Sequence, residues 1–282
     1  MNRHGVGRRK AMRLAVLQHD AHPSDVTSNL HHLEQAAQMA AEHHGNVLLS
    51  PELFLTGADP HLVTRVLSPA GLRDVHQAVA GIASSYNIAL AYSLPAYPPD
   101  GAAGRPQITS YFVDDAGDLL ASYARAHLRS AAEHDTFDPG QLPPQVFDYQ
   151  GTGFALSSGY DVQFPEHARA AALAGAGILL VPAAAEQGSE SLAVKLLPTR
   201  AMENGIYLAW ANHCSVQGGI PMAGTSTIIG ADGQNLRVAG NDPQLIMADV
   251  DPIRQQAIRK LDPYLSRIRP ELYAVAPGGS PG

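Results

Sequence analysis

The chain of 282 residues has one cysteine, Cys214, and only three lysines, Lys10, Lys195 and Lys260. A single cysteine excludes an intrachain disulfide, so the fold does not depend on an oxidising compartment. Cys214 ends an apolar run and is read as a small buried residue. Basic residues number 19 against 26 acidic ones, and the net charge of −7 comes without any basic stripe for a phosphate backbone. Nucleic acid is therefore not an expected partner. No apolar run reaches membrane-spanning length. Arg8-Arg9-Lys10 has the charge of an export signal, but the apolar stretch behind it, Leu14 to Leu17, is too short for one. Cytoplasmic residence is the default expectation.

With 45% hydrophobic residues the chain can bury a large core, which fits one α/β domain better than two small ones. Residues 1–12 lack pattern and 276–282 are rich in Pro, Gly and Ser, so flexible ends are expected around a single domain over 13–275. Strands are expected at Arg13 to Gln18, Asn46 to Ser50, Ile88 to Ser93 and Phe154 to Ser158, and again at Ile178 to Val181 and Tyr207 to Asn212. Ile108 to Asp114 and Leu119 to Tyr123 form a hairpin pattern, and three short strands follow between Ser226 and Val250. Helical periodicity covers Asn29 to Ala41, Gln77 to Tyr86, Pro165 to Ala174 and Leu192 to Asn204, with Pro165 at a favoured first-turn position.

Four segments carry chemistry. Leu49-Ser-Pro-Glu52 ends a strand on a carboxylate. Tyr123-Ala-Arg-Ala-His-Leu128 holds Arg125 and His127, and Glu133 opens Glu133-His-Asp-Thr-Phe-Asp-Pro-Gly140. The fourth is Phe154-Ala-Leu-Ser-Ser-Gly-Tyr-Asp-Val-Gln-Phe-Pro-Glu166, which contains Gly159, Tyr160 and Asp161. In order and spacing these segments, with Arg200-Ala-Met-Glu-Asn204 and Asn212, resemble the nitrilase (carbon-nitrogen hydrolase) superfamily from about Arg13 to Asp251.

The resemblance implies a four-layer α-β-β-α sandwich of the nitrilase-like type, amidase-like chemistry on a small molecule, and association into a homodimer. It implies no cofactor and no metal. In the family a thiolate attacks the amide or nitrile carbon, a glutamate moves protons and a lysine stabilises the tetrahedral intermediate. Glu52 matches the glutamate and Glu133 the supporting carboxylate. Gly159 occupies the cysteine position and Arg125 the lysine position. A thioester is accordingly not expected, and guanidinium, always charged and forked, is no simple replacement for ammonium. The candidate catalytic residues are Glu52, Arg125 and Glu133, with Gly159, Tyr160 and His127 as candidate substrate contacts.

Three functions follow from this pattern. The first is a repurposed enzyme that uses Glu52 and Arg125 for non-covalent acid-base chemistry such as condensation, cyclisation or elimination. The second is a pseudoenzyme that binds a ligand or partner. The third is residual hydrolysis by water activated at Glu52. Ser158 adjoins the missing thiol, but a one-residue offset along a strand turns its side chain to the opposite face. Tyr160 and Asp161 are expected to hold the turn. His31-His32 and His43-His44 lack a completing ligand set for a metal and are read as solvated helix surface.

Overall fold

The computed structural model describes residues 11–66, 68–98 and 103–272. The expected flexible tail at 276–282, the domain end at 275 and residues 1–10 of the expected flexible N-terminal extension lie outside them. Met12 is already buried and starts the first strand.

The first sheet is built from β1 (Met12–Gln18), β2 (Val47–Leu49), β3 (Ala89–Ala96), β4 (Gln107–Val113) and β5 (Leu119–Ala124). The second uses β6 (Val146–Tyr149), β7 (Thr152–Leu156), β8 (Ile178–Pro182) and β9 (Tyr207–Ala211). A two-stranded hairpin, β10 (Val216–Gln217) and β11 (Ile220–Pro221), leaves that sheet, which is completed by β12 (Thr227–Ile229) and β13 (Asn235–Val238). The chain then returns to the first sheet as β14 (Gln244–Val250). The strand orders are β14-β1-β2-β3-β4-β5 and β13-β12-β9-β8-β7-β6. In each sheet three central strands run parallel, β1-β2-β3 in one and β7-β8-β9 in the other, with antiparallel strands outside them.

Strand alternation builds the layers, because successive side chains leave a strand on opposite faces. Leu14 and Val16 point between the sheets, where they join Leu49, Phe112, Phe154, Leu156, Leu180 and Ala209 in one core. Ala15 and Leu17 point outward, onto α1 (Val26–Glu42) and α3 (Pro69–Tyr86) through Leu33, Ala37, Val79 and Ile82. On the far side Ala155, Leu179 and Leu208 meet α5 (Pro165–Leu173) and α6 (Leu197–Asn204) through Ala168, Ala171, Leu197 and Ala201. The expected four-layer α-β-β-α sandwich is the observed one. The face that α5 turns to the sheet is made of small side chains, Ala168, Ala171 and Ala172.

The differences from the sequence reading have local causes. α3 begins at Pro69 rather than near Gln77, because Ser68 accepts the Gly71 N–H and Pro69 sits at the first turn. β7 ends at Leu156, so Ser157 and Ser158 lie beyond the strand. The helix expected over Leu192 to Asn204 enters through a π turn at Leu192–Leu196. Unanticipated elements are β6, the β10-β11 hairpin, α2 (Pro60–Val66), α4 (Ala131–Thr136) and α7 (Pro252–Leu261). His32 is not a solvated surface residue. It is half-buried against His19 and His22, with ring centroids 4.4 and 5.4 Å away, and its Nδ1 has no partner. Among the described residues no group of histidines, cysteines and carboxylates could hold a metal, and no helix is long and apolar enough to cross a membrane.

Buried polar side chains fasten the loops at the sheet ends. Asn212 follows β9 and accepts the Ala185 N–H at 2.7 Å, while its amide donates to the carbonyls of Ala185 at 3.1 Å and Gly224 at 2.9 Å. Asn212→Ala leaves the Ala185 N–H and the Gly224 carbonyl without this partner in the interior, while the Ala185 carbonyl keeps the Ala223 N–H, and is expected to cost about 2–4 kcal/mol, measured by urea unfolding.

Candidate active site

Glu52 follows β2 by three residues and is held by its backbone from both sides. Its N–H donates to Ala183 of the second sheet at 3.1 Å, and its carbonyl lies 2.7 Å from His213 Nε2. A carbonyl only accepts, so Nε2 carries the proton. Burial pushes His213 down to about 4, which keeps it neutral. The following residue, Leu53, has φ of 53°, a left-handed conformation that a leucine adopts only under constraint from its surroundings. That bend aims the Glu52 side chain at the end of β5.

Arg125 stands one residue beyond β5, where its N–H still pairs with Ile108 and its carbonyl accepts from Gly140. Its guanidinium is 4% exposed and nearly spent. Nε donates to the His127 carbonyl at 2.8 Å, Nη1 to Glu52 Oε1 and Glu133 Oε1, both at 3.1 Å, and Nη2 to Glu133 Oε2 at 3.0 Å. Of five N–H donors, one on Nη2 has no assignment. Tyr160 places its ring 5.7 Å from Arg125 Cζ, a cation–π contact. Glu133 lies on α4, whose first turn is capped by Ser130, and its carboxylate also accepts the Arg129 N–H.

The two carboxylates are unequal. Glu133 keeps some solvent contact and takes the bidentate fork, whereas Glu52 is 4% exposed and receives one N–H. Burial raises the Glu52 carboxyl above the ordinary carboxylate range. Arg125 and the Ser158 hydroxyl oppose this without cancelling it, and Glu133 and Asp161 reinforce it. Burial alone would lower Arg125, but the fields of Glu52, Glu133 and Asp161 outweigh it and hold the guanidinium charged.

Ser158 corrects the sequence reading. Its hydroxyl sits 2.6 Å from Glu52 Oε2, on the same side as the acidic site. Alternation of faces holds only while a strand lasts, and β7 has ended two residues earlier. Ser158 is buried and is not among the residues that wall the cavity.

Gly159 does wall the cavity, together with Glu52, Arg125, Glu133 and Tyr160. Its backbone is not in the positive-φ region, so no dihedral demands glycine. Space does. A Cβ on Gly159 would lie 2.9 Å from Ala183 Cβ and 3.0 Å from Ala183 Cα. Ala183 cannot readily withdraw, because its N–H is bonded to Ala211 at 2.8 Å and its carbonyl to Glu52.

His127 lies outside the cavity walls. Its Nδ1 is 2.7 Å from Asp161 and its ring stacks on Phe164 at 4.0 Å. Asp161, fully buried, also accepts from Tyr123 Oη and the amides of Ala126 and His127. It ties the segment carrying Arg125 to the turn carrying Gly159, as expected for a residue that holds the turn. Cys214 is buried as expected, and burial raises its thiol to about 11.

The cavity has a volume of about 320 Å³, with Leu53, Ile108, Phe137, Trp210 and Met222 among its apolar walls. The model of the carbon-nitrogen hydrolase family matches residues 13–260. The chain belongs to the carbon-nitrogen hydrolase family. Within that family it is 34% identical over 265 residues to the Pseudomonas protegens protein named "Hydrolase in pqqF 5'region", covering 94% of this chain and 91% of that one. Among solved structures it resembles an amidase from Nesterenkonia sp. AN1, here a cysteine-to-alanine mutant in complex with butyramide. The TM-score is 0.85 at 38% identity, and the match covers 95% of this chain and 98% of that chain. Another structure of the same amidase, at the same identity and TM-score, shows covalent addition of the acetamide moiety of fluoroacetamide at its active-site cysteine.

For this carbon-nitrogen hydrolase family member, Gly159→Ala adds a methyl group where there is no room and is expected to lose about 1–2 kcal/mol of stability. Gly159→Ala with Ala183→Gly should recover part of that loss in the same unfolding assay. The raised Glu52 carboxyl gives stability a pH dependence. A folded-state pKa above the unfolded one contributes stability that is complete below the unfolded value and lost as pH rises through the folded one. Wild type should therefore lose stability relative to Glu52→Gln as pH rises from the acidic range, read from melting temperatures across pH.

Proposed function

We propose that this chain acts on a small amide or related carboxyl derivative without forming a thioester, with Glu52 as the proton-transfer group. Gly159 occupies the cysteine position of the family pattern and Arg125 the lysine position. The observation that carries the reading is the buried Glu52 carboxyl, shared between Arg125 at 3.1 Å and Ser158 at 2.6 Å. Its upward shift supports a carboxyl that exchanges a proton with a leaving group or a carbonyl oxygen. The remaining Nη2 donor of Arg125 suits an oxygen that gains negative charge. No side chain at Gly159 stands between this pair and the bound group. Such a site fits condensation or cyclisation, in which a second group supplies the nucleophile and the leaving group takes the proton from Glu52, or elimination, in which Glu52 takes a proton from the ligand as its leaving group departs. Hydrolysis by water at Glu52 is the simplest variant of the same chemistry. Glu133 positions Arg125, and a homodimer remains part of the proposal on family resemblance.

A second reading is a ligand-binding protein without turnover. It is favoured by the same saturation, since both Glu52 oxygens are engaged and Arg125 has one free donor.

Fluoroacetamide separates thiol from non-thiol chemistry. Intact-mass spectrometry of the folded wild-type protein is expected to show no adduct, because Cys214 is buried with a raised thiol pKa. An adduct within the Gly159 segment would refute the proposal. Turnover is tested by screening amides and amino-carboxylates for conversion. Glu52→Gln should lower any rate found by about 100-fold or more, the range of general acid-base catalysis. Undiminished turnover in Glu52→Gln would remove its role, and ligand binding with no conversion would favour the second reading.

A further inference from the structure

Trp210 is the single tryptophan of the chain, and it stands in the wall of the cavity. It lies on β9, in the interior of the second sheet, with Val181 of β8 and Thr227 of β12 as its cross-strand neighbours. Alternation along β9 sends Ala209 and Ala211 between the sheets and turns Leu208 and Trp210 to the helix side, where the indole joins Val162, Ala183 and Leu197. Paired strands on both sides and close packing around the ring fix its setting before any ligand arrives.

The polar edge of that ring is unused. An indole N–H is a donor only, and a buried one normally finds an acceptor. Among the described residues none accepts from Trp210. The polar atoms that are sealed in the interior without partners include Gln217 Oε1 and His167 Nε2, and the indole nitrogen is not one of them. Trp210 is 2% exposed, and the surface it keeps belongs to the cavity wall. Its N–H is therefore a donor presented to the cavity, with no protein group to receive it.

The neighbouring walls decide what kind of acceptor suits it. Both guanidinium groups in the wall are occupied, Arg125 by Glu52 and Glu133, and Arg129 by Glu186 at 3.0 Å. A carboxylate at the indole would be buried without a cation, and one N–H does not offset the desolvation of a full charge. An uncharged oxygen needs a donor and no counter-charge. A purely alkyl chain would pack on Leu53, Ile108, Phe137 and Met222 but would leave the indole N–H dehydrated and unpaired.

We propose that Trp210 is a ligand-binding residue that donates its indole N–H to an uncharged oxygen on the ligand's acyl chain, so that the amides this protein takes carry an oxygen acceptor beyond the amide group. The inference rests on the reading that the amide group itself is received at Glu52 and Gly159.

Two pairs of amides matched in length test it: butyramide with acetoacetamide, and pentanamide with levulinamide. A single tryptophan gives a single indole N–H signal in the NMR spectrum of the isotope-labelled wild-type protein. In the pair whose ketone reaches the indole, the oxo-amide should move that proton downfield well beyond the shift caused by its alkyl counterpart. By isothermal titration calorimetry it should also bind about three- to tenfold tighter, the order of one neutral hydrogen bond. Trp210→Phe keeps a ring and removes the donor, and should bring the members of that pair to similar affinity. Should this variant fail to fold, the indole signal of the wild type still decides. Absence of an oxo-specific shift in both pairs, or an affinity gap that persists in Trp210→Phe, would overturn the role of Trp210 and leave the amide-site reading standing. Binding of none of the four compounds would overturn that reading and this inference with it.

Discussion

The buried fork between Arg125 and its two carboxylates is the contact on which the rest of the site depends. Three charged side chains from three separate stretches of chain are removed from water together, and such a group persists only when its geometry is supported on all sides. The fold provides that support at the backbone. The Glu52 peptide is fixed by Ala183 and His213, and Arg125 by Ile108 and Gly140. Asp161 draws the turn after β7 onto the segment after β5. Because the guanidinium divides its donors unevenly, the two glutamates differ in character. Glu133 anchors, and Glu52 is left partly compensated, which is the state that makes a carboxyl useful for moving protons.

The layers were legible in the chain because strand alternation is a local signal. Leu14 and Val16 against Ala15 and Leu17 state which side faces the second sheet, and the alanine-rich stretch 168–172 states which face of α5 packs on it. The convergence of Glu52, Arg125 and Glu133 was accessible only through family resemblance, since nothing in their spacing brings residues so far apart together. The roles of Ser158 and His213 stayed hidden. Ser158 depends on where β7 ends, a boundary that alternation cannot place to within two residues. His213 depends on a carbonyl 161 residues away.

Gly159 is a position where the reading changed in kind. In sequence it is an absence. In the structure the space that a Cβ would need here is occupied by Ala183. The Ala183 backbone lies within 3.0 Å of the place where a side chain would start. Chemistry at this position has to come from the ligand or from groups around it, and those groups belong to both sheets.

That last fact reaches beyond the pocket. Glu52 follows a strand of the first sheet while its N–H is bonded to Ala183 at the end of a strand of the second. The seam between the sheets therefore runs through the site, and its spacing is set by the interlayer core of Leu14, Val16, Phe112, Phe154 and Leu180. A slip of one sheet along the other would draw Glu52 away from Ala183 and Ser158. The setting of Glu52 thus depends on how the two halves of the sandwich fit together.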